Sequence, residues 1–164
     1  MKKLFFTLLA VIAGQIAFSQ NIPPVEGVRM ETAQDYRNAD SAVVQVSRYF
    51  LSIPIDQDNN TRLKAGVFLT RWMYGSPDCN FDPGQKMLKY INSDVDLLTV
   101  YYCCFSLFTI HYPSVKDPKT VELNAAKQFV AYLNKPSNLV TLTRQLKKMV
   151  DADEKGELKS FLKL

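Results

Sequence analysis

Few residues in this chain are suited to chemistry, and their spacing argues against most of it. His111 is the only histidine. Its ordinary pKa near neutrality makes it the first candidate for acid–base work. It falls at the C-terminal end of an apolar helical segment, where a cation is favoured by the helix dipole. No Ser or Cys is placed in any pattern that it would activate, so a capping or surface role is preferred. The cysteines are Cys79, Cys103 and Cys104. Neighbours on a helix diverge by about 100°, which rules out a bond between Cys103 and Cys104. Cys79 with Cys104 is the candidate disulfide in an oxidising compartment. The competing reading, three small buried apolar side chains, is preferred. Without Cys-x-x-Cys spacing and with one histidine, no metal is expected. Asp56-Gln57-Asp58-Asn59-Asn60 opens like a calcium loop. Thr61 stands where the turn needs glycine, and Val67 where a bidentate glutamate belongs.

The most loop-like internal stretch is Gly75 to Asp82, following Trp72 and Tyr74. Aromatics beside a polar loop can form a binding site, so Trp72, Tyr74 and Asp78 are the candidate ligand or partner contacts. The plainer reading makes the loop a hinge with Trp72 in the core. Tyr101, Tyr102 and Tyr112 are read as packing residues whose hydroxyls need partners. The six glycines form neither a dinucleotide nor a phosphate-binding loop, so no cofactor is expected. Carboxylate pairs converge only in three dimensions, which leaves a small carboxylate-dependent hydrolase open as the enzymatic alternative.

The elements that would position these residues read as helices. A first helix is expected from Ser41 to Ser52, capped by Asp40 and ended by Pro54. A second starts near Asn59 or Asn60 and ends before Gly75, with Leu63, Val67, Phe68 and Trp72 inward and Arg62, Lys64 and Arg71 in water. Asp82 and Pro83 open a short third, with Met87, Leu88 and Ile91 buried. A fourth, Val95 to Tyr112 behind a Ser93/Asp96 capping box, is apolar on most sides and is read as the central helix. A fifth starts at Pro118 behind Asp117 and ends before Pro136. Ser137 caps a sixth carrying Leu139, Leu142, Leu146 and Met149, with Arg144, Lys147 and Lys148 opposite. A last amphipathic segment runs from Glu154 to Leu162. No strand-like alternation competes. The fold class is all-α: six to seven helices as antiparallel hairpins, forming an irregular bundle or a short repeat-like helical stack. Hairpin starts near Asp40, Pro83 and Pro118 are unevenly spaced, and no repeat consensus recurs.

The N-terminus sets the compartment. Met1-Lys2-Lys3, an apolar run from Leu4 to Ala13, and Ala17-Phe18-Ser19 form a signal peptide ending at residue 19. Residues 20–39, with Pro23, Pro24 and Gly27, are expected as an extended or partly disordered lead-in. Residues 40–164 form a single helical domain. No Cys follows the apolar run closely, so no lipid anchor is expected. The whole chain carries a net charge of +4; without Lys2 and Lys3 it is about +2, too weak and mixed for nucleic acid. No membrane span is expected in the mature chain, since the fourth helix is diluted by hydroxyls and too short.

At Leu51-Ser52-Ile53-Pro54-Ile55-Asp56, Arg62-Leu63-Lys64-Ala65-Gly66 and Arg71 through Asp78, the chain resembles exported helical proteins of unknown function from Bacteroidetes-type bacteria. The resemblance implies a Gram-negative periplasmic or secreted setting and carries no activity. The expected function is therefore a non-enzymatic periplasmic or secreted binding module for an unknown protein or small ligand.

Overall fold

A computed structural model describes residues 25–55, 59–79, 85–91 and 94–164. Among them the chain forms seven α-helices and no strand: α1 Ala33–Ser52, α2 Asn59–Gly75, α3 Gln85–Ile91, α4 Val95–His111, α5 Pro118–Leu133, α6 Arg144–Glu154 and α7 Leu158–Phe161. The expected signal peptide, the 56–58 stretch, the expected Asp82–Pro83 start and the expected Ser93 cap lie outside the described residues.

α1 begins eight residues before the expected Ser41. Thr32 is the true cap: its hydroxyl accepts from the Asp35 amide, and the Asp35 carboxylate accepts from the Thr32 amide at 2.9 Å. Those bonds hold the Asp35 carboxyl below its ordinary range, the Thr32 backbone contributing most. This reciprocal box satisfies two amides that a helix start leaves open. Asp40 is therefore inside a helix rather than at its cap. From there Ala39, Val43, Val46, Ser47 and Phe50 form one buried face, at the three-and-four spacing that aligns side chains along a helix.

α4 carries most of the packing. Asp94, rather than Ser93, caps it by accepting from the Leu97 amide at 3.0 Å. Leu97, Val100, Tyr101 and every residue from Cys103 to Phe108 are buried. A helix apolar on nearly all sides must be covered on all sides; α1, α2, α3 and α5 supply the cover. No helix among the described residues is long and apolar enough to cross a membrane. α5 follows the expected reading, with Asp117 capping and Pro118 in the first turn. Its buried face is Val121, Ala125, Ala126, Phe129, Val130 and Leu133. Phe129 meets Tyr101 edge to face, with ring centroids 5.9 Å apart.

The sixth helix differs from expectation. Pro136–Asn138 is a 3-10 turn, and α6 starts only at Arg144 behind Thr143. Leu139 sits in the left-handed region and is exposed, so the apparent Leu139–Leu142–Leu146 stripe is not a helical face. Two contacts fix the departure. The buried Asn138 amide donates to the Tyr132 carbonyl at 2.9 Å. Its own carbonyl accepts from the Ile55 amide at 3.2 Å, tying the turn to the end of α1. Val140, Thr141 and Thr143, poor helix formers, follow. α6 is closed two residues past Glu154 by Gly156, whose positive φ lets the Glu157 amide reach back to the Ala152 carbonyl at 2.7 Å. Only glycine takes that geometry without strain.

Candidate functional site

α2 is where the sequence placed its candidates, and it is rotated from the expected orientation. Ala65, Phe68, Leu69, Trp72 and Met73 face the core. Leu63 and Val67, expected inside, are 64% and 63% exposed. Arg62, expected in water, is 2% exposed. Leu88 on α3 is likewise exposed rather than buried.

Contacts along α2 set this rotation. Its C-terminal end lies against the start of α1, and its N-terminal end against the end of α1, so the two run antiparallel. At the first end the Trp72 indole donates to the Tyr36 carbonyl at 3.1 Å and to Asp40 Oδ1 at 3.0 Å. At the other end the Arg62 guanidinium sits over the Phe50 ring, 4.7 Å from its centroid. α4 lies along another side, running in the same direction as α2. Arg62 Nε reaches Asp96 Oδ1 at 3.3 Å, the Cα of Gly66 faces Thr99, and the Tyr74 hydroxyl lies near that of Tyr102. Residues ahead of α1 cover a third edge, where Arg71 donates to the Met30 carbonyl at 3.1 Å and Lys64 pairs with Glu26 at 3.0 Å.

Among the described residues of α2, the apolar side chains left in water form one strip. Leu63, Val67 and Tyr74, spaced by four and seven residues, point the same way along α2. Tyr74 is 70% exposed, and Val95, at the head of α4 where Asp96 meets Arg62, is 69% exposed. Scattered exposed apolar residues are ordinary, but a row of them on one helix face is not.

Of the three predicted contacts, the structure separates two roles. Trp72 is core, and its indole is spent inside. Asp78 lies in the loop after α2 and pairs with Arg37 of α1 at 2.9 Å. Both surround Asp40, whose carboxyl is pushed above its ordinary value by burial, opposed by the Trp72 bond and reinforced by Asp78. Tyr74 alone is on the outer face. Tyr36, Arg37 and Asp40 were missed as members of this cluster because they were assigned to the lead-in or to a cap. The Thr32-x-x-Asp35 pair was the available signal, of the same kind as Ser93-x-x-Asp96.

The cluster is poor in nucleophiles. Cys79, Cys103 and Cys104 are free thiols, so the Cys79–Cys104 bridge is not formed. Burial, with Asp40 and Asp78 adding, pushes the Cys79 thiol up to about 12. Burial also pushes Cys103 up to about 12, and Cys104 well above the usual thiol value. Thiols so protonated are neither nucleophiles nor ready metal ligands near neutral pH. We expect three reactive thiols in denaturant without reductant. In the folded protein only Cys79 should react, and slowly; a count of one in denaturant would contradict the free state. Among the described residues no group of three His, Cys, Asp or Glu side chains could hold a metal ion. His111 is the exposed last residue of α4.

The raised Asp40 carboxyl gives a pH prediction. An acid with a raised folded pKa binds its proton in the folded state first, so stability from this group grows as pH falls from that raised value toward 3.8. Asp35 and Asp117 have lowered pKa values and act oppositely: their contribution is lost as pH falls below 3.8. Trp72 is the single tryptophan. Its fluorescence should titrate with a midpoint above 3.8, and Asp40→Asn should abolish that titration while keeping the hydrogen bond. An unchanged titration in Asp40→Asn would contradict the assignment.

Compared with protein families, curated proteins and solved structures, the chain matches none.

Proposed function

We propose that this protein is a non-enzymatic binding module, exported to the periplasm or outside the cell, that holds a protein partner across the outer face of α2. One observation carries the reading: Leu63, Val67 and Tyr74 form an exposed apolar row on a helix whose inward sides pack on α1 and α4. Burying such a row recovers roughly 25 cal/mol per Å² of apolar area, which favours a cover over water. Amphipathic helix recognition uses anchors at this spacing.

The enzymatic alternative has one observation in its favour, the raised Asp40 carboxyl near Asp78. Both carboxylates already have structural partners, in Trp72 and Arg37. Neither is left to face a substrate and a water, as a carboxylate hydrolase requires.

The test is comparative cross-linking in native envelope extract. A photo-cross-linker at Val67 should capture a discrete partner, and Leu63→Glu/Val67→Glu with the linker moved to Tyr74 should lose it, with an unchanged circular dichroism spectrum. Capture that survives the double substitution would remove the reading. The protein recovered from the same extract should begin at Gln20; an unprocessed chain would refute export.

A further inference from the structure

The charge around the exposed row narrows the kind of partner. α2 contains Arg62, Lys64 and Arg71 and not one Asp or Glu. Arg62 is buried, but Lys64 and Arg71 are exposed and lie along one line, seven residues apart. That line is rotated by about 70° from the Leu63–Val67–Tyr74 row, so it borders the row along its length. The opposite border is the head of α4, where Val95 is flanked by Asp94 and the half-exposed Asp96.

This rim discriminates among occupants. Paired antiparallel across the row, a second copy would bring the two Lys64–Arg71 edges onto the same side and set like charges together; paired parallel, it would leave Arg71 with no carboxylate opposite, because Asp94 and Asp96 lie only at the Arg62 end of α2. A uniformly anionic membrane would meet Lys64 and Arg71 favourably but be repelled by Asp94 and Asp96 on the other border. A peptide helix can match both borders, because its two edges are chosen separately. The chain's own lead-in already shows what the basic border accepts. Glu26 pairs with Lys64, and a backbone carbonyl of the same segment accepts from Arg71. That exposed ion pair is weak enough to exchange for another carboxylate.

Resting on the reading of α2 as the binding face, we propose that its partner is an amphipathic peptide helix whose apolar anchors are flanked on one edge by carboxylates, which seat against Lys64 and Arg71. The rim charges select the partner, and the apolar row holds it.

Two synthetic helical peptides with identical Leu anchors, one flanked by Glu and one by Lys, test this by fluorescence anisotropy on the whole protein at low salt. The Glu peptide should bind at least tenfold more tightly than the Lys peptide, and 0.5 M salt should shrink the difference. Lys64→Glu/Arg71→Glu should reverse the preference with an unchanged circular dichroism spectrum. Leu63→Glu/Val67→Glu should abolish binding of both. Equal binding of both peptides at the apolar row would overturn the charge inference and leave the binding face standing. Binding unaffected by Leu63→Glu/Val67→Glu, or no binding of either peptide, would overturn the inference. So would preferential binding to vesicles of anionic phospholipid, or self-association abolished by Leu63→Glu/Val67→Glu.

Discussion

Asp96→Asn is expected to lower the unfolding free energy by roughly 2 kcal/mol, more than removing the arginine it faces. The reason is an asymmetry of burial. Arg62 is shut in between α1, α2, α4 and α5, while its partner Asp96 is 46% exposed. The other hydrogen bond from Arg62, to the Pro54 carbonyl, is 3.4 Å long, and Nη2 has no partner among the described residues. Removing the carboxylate strands a buried cation, which costs about 3–5 kcal/mol when both partners are buried. Solvent around Asp96 reduces that here. Arg62→Met instead removes the cation and its unmet N–H, keeps a flexible side chain over Phe50, and should stay within about 1 kcal/mol of the parent. Asp96 also stands in the first turn of α4, where a negative charge contributes about 0.3–1 kcal/mol. A double-substitution cycle separates that part. Arg62→Met/Asp96→Asn should be more stable than Asp96→Asn alone. Equal stability of the two would show that Arg62 is hydrated rather than buried.

Gly75→Ala carries the second large effect, about 2 kcal/mol of destabilisation by denaturant unfolding. A methyl group at Gly75 would collide with the Tyr36 ring and hydroxyl. Alanine is the better helix former by about 1 kcal/mol, so without Tyr36 against it the solvent-exposed Gly75 would give the opposite sign. The Tyr36 backbone is anchored, because its carbonyl accepts from the Trp72 indole, so the ring must turn to make room. The clash should therefore reach Trp72 and shift its fluorescence. Tyr36→Ala in the Gly75→Ala background should recover most of the loss. A neutral or stabilising Gly75→Ala would mean that α1 and α2 do not close at this end.

These two sites show what the sequence could and could not reveal. α4 and α5 were legible because one arrangement satisfied every signal: Asp117-Pro118 marks a start, and apolar residues recur on one face or all around. α2 was not. Its apolar residues lie on most sides, so both Leu63–Val67–Trp72 and Ala65–Phe68–Leu69–Trp72–Met73 read as faces. Contacts with Asp40, Phe50, Asp96 and Thr99 choose between them, and none of those is local in sequence. The buried Arg62 was missed for the same reason, since a charge is placed in water until a distant carboxylate is known. The false sixth-helix stripe arose from Leu139 and Leu142, which fall at helical spacing in a stretch that Asn138 anchors otherwise. Trp72, Asp78 and Tyr74 were near one another in sequence, but only the α1 contact shows that Asp40 gathers the first two and leaves the third outside.

The account rests on the facing of α2, and hydroxyl-radical footprinting with residue-level mass spectrometry reads it directly. In the isolated protein, Leu63, Val67 and Tyr74 should be oxidised readily, while Phe68, Leu69 and Trp72 on the same helix stay protected. Addition of native envelope extract should protect Leu63, Val67 and Tyr74 together. Protection of Leu63 and Val67 in the isolated protein, with Phe68 and Leu69 oxidised, would contradict both the fold at α2 and the binding face built on it.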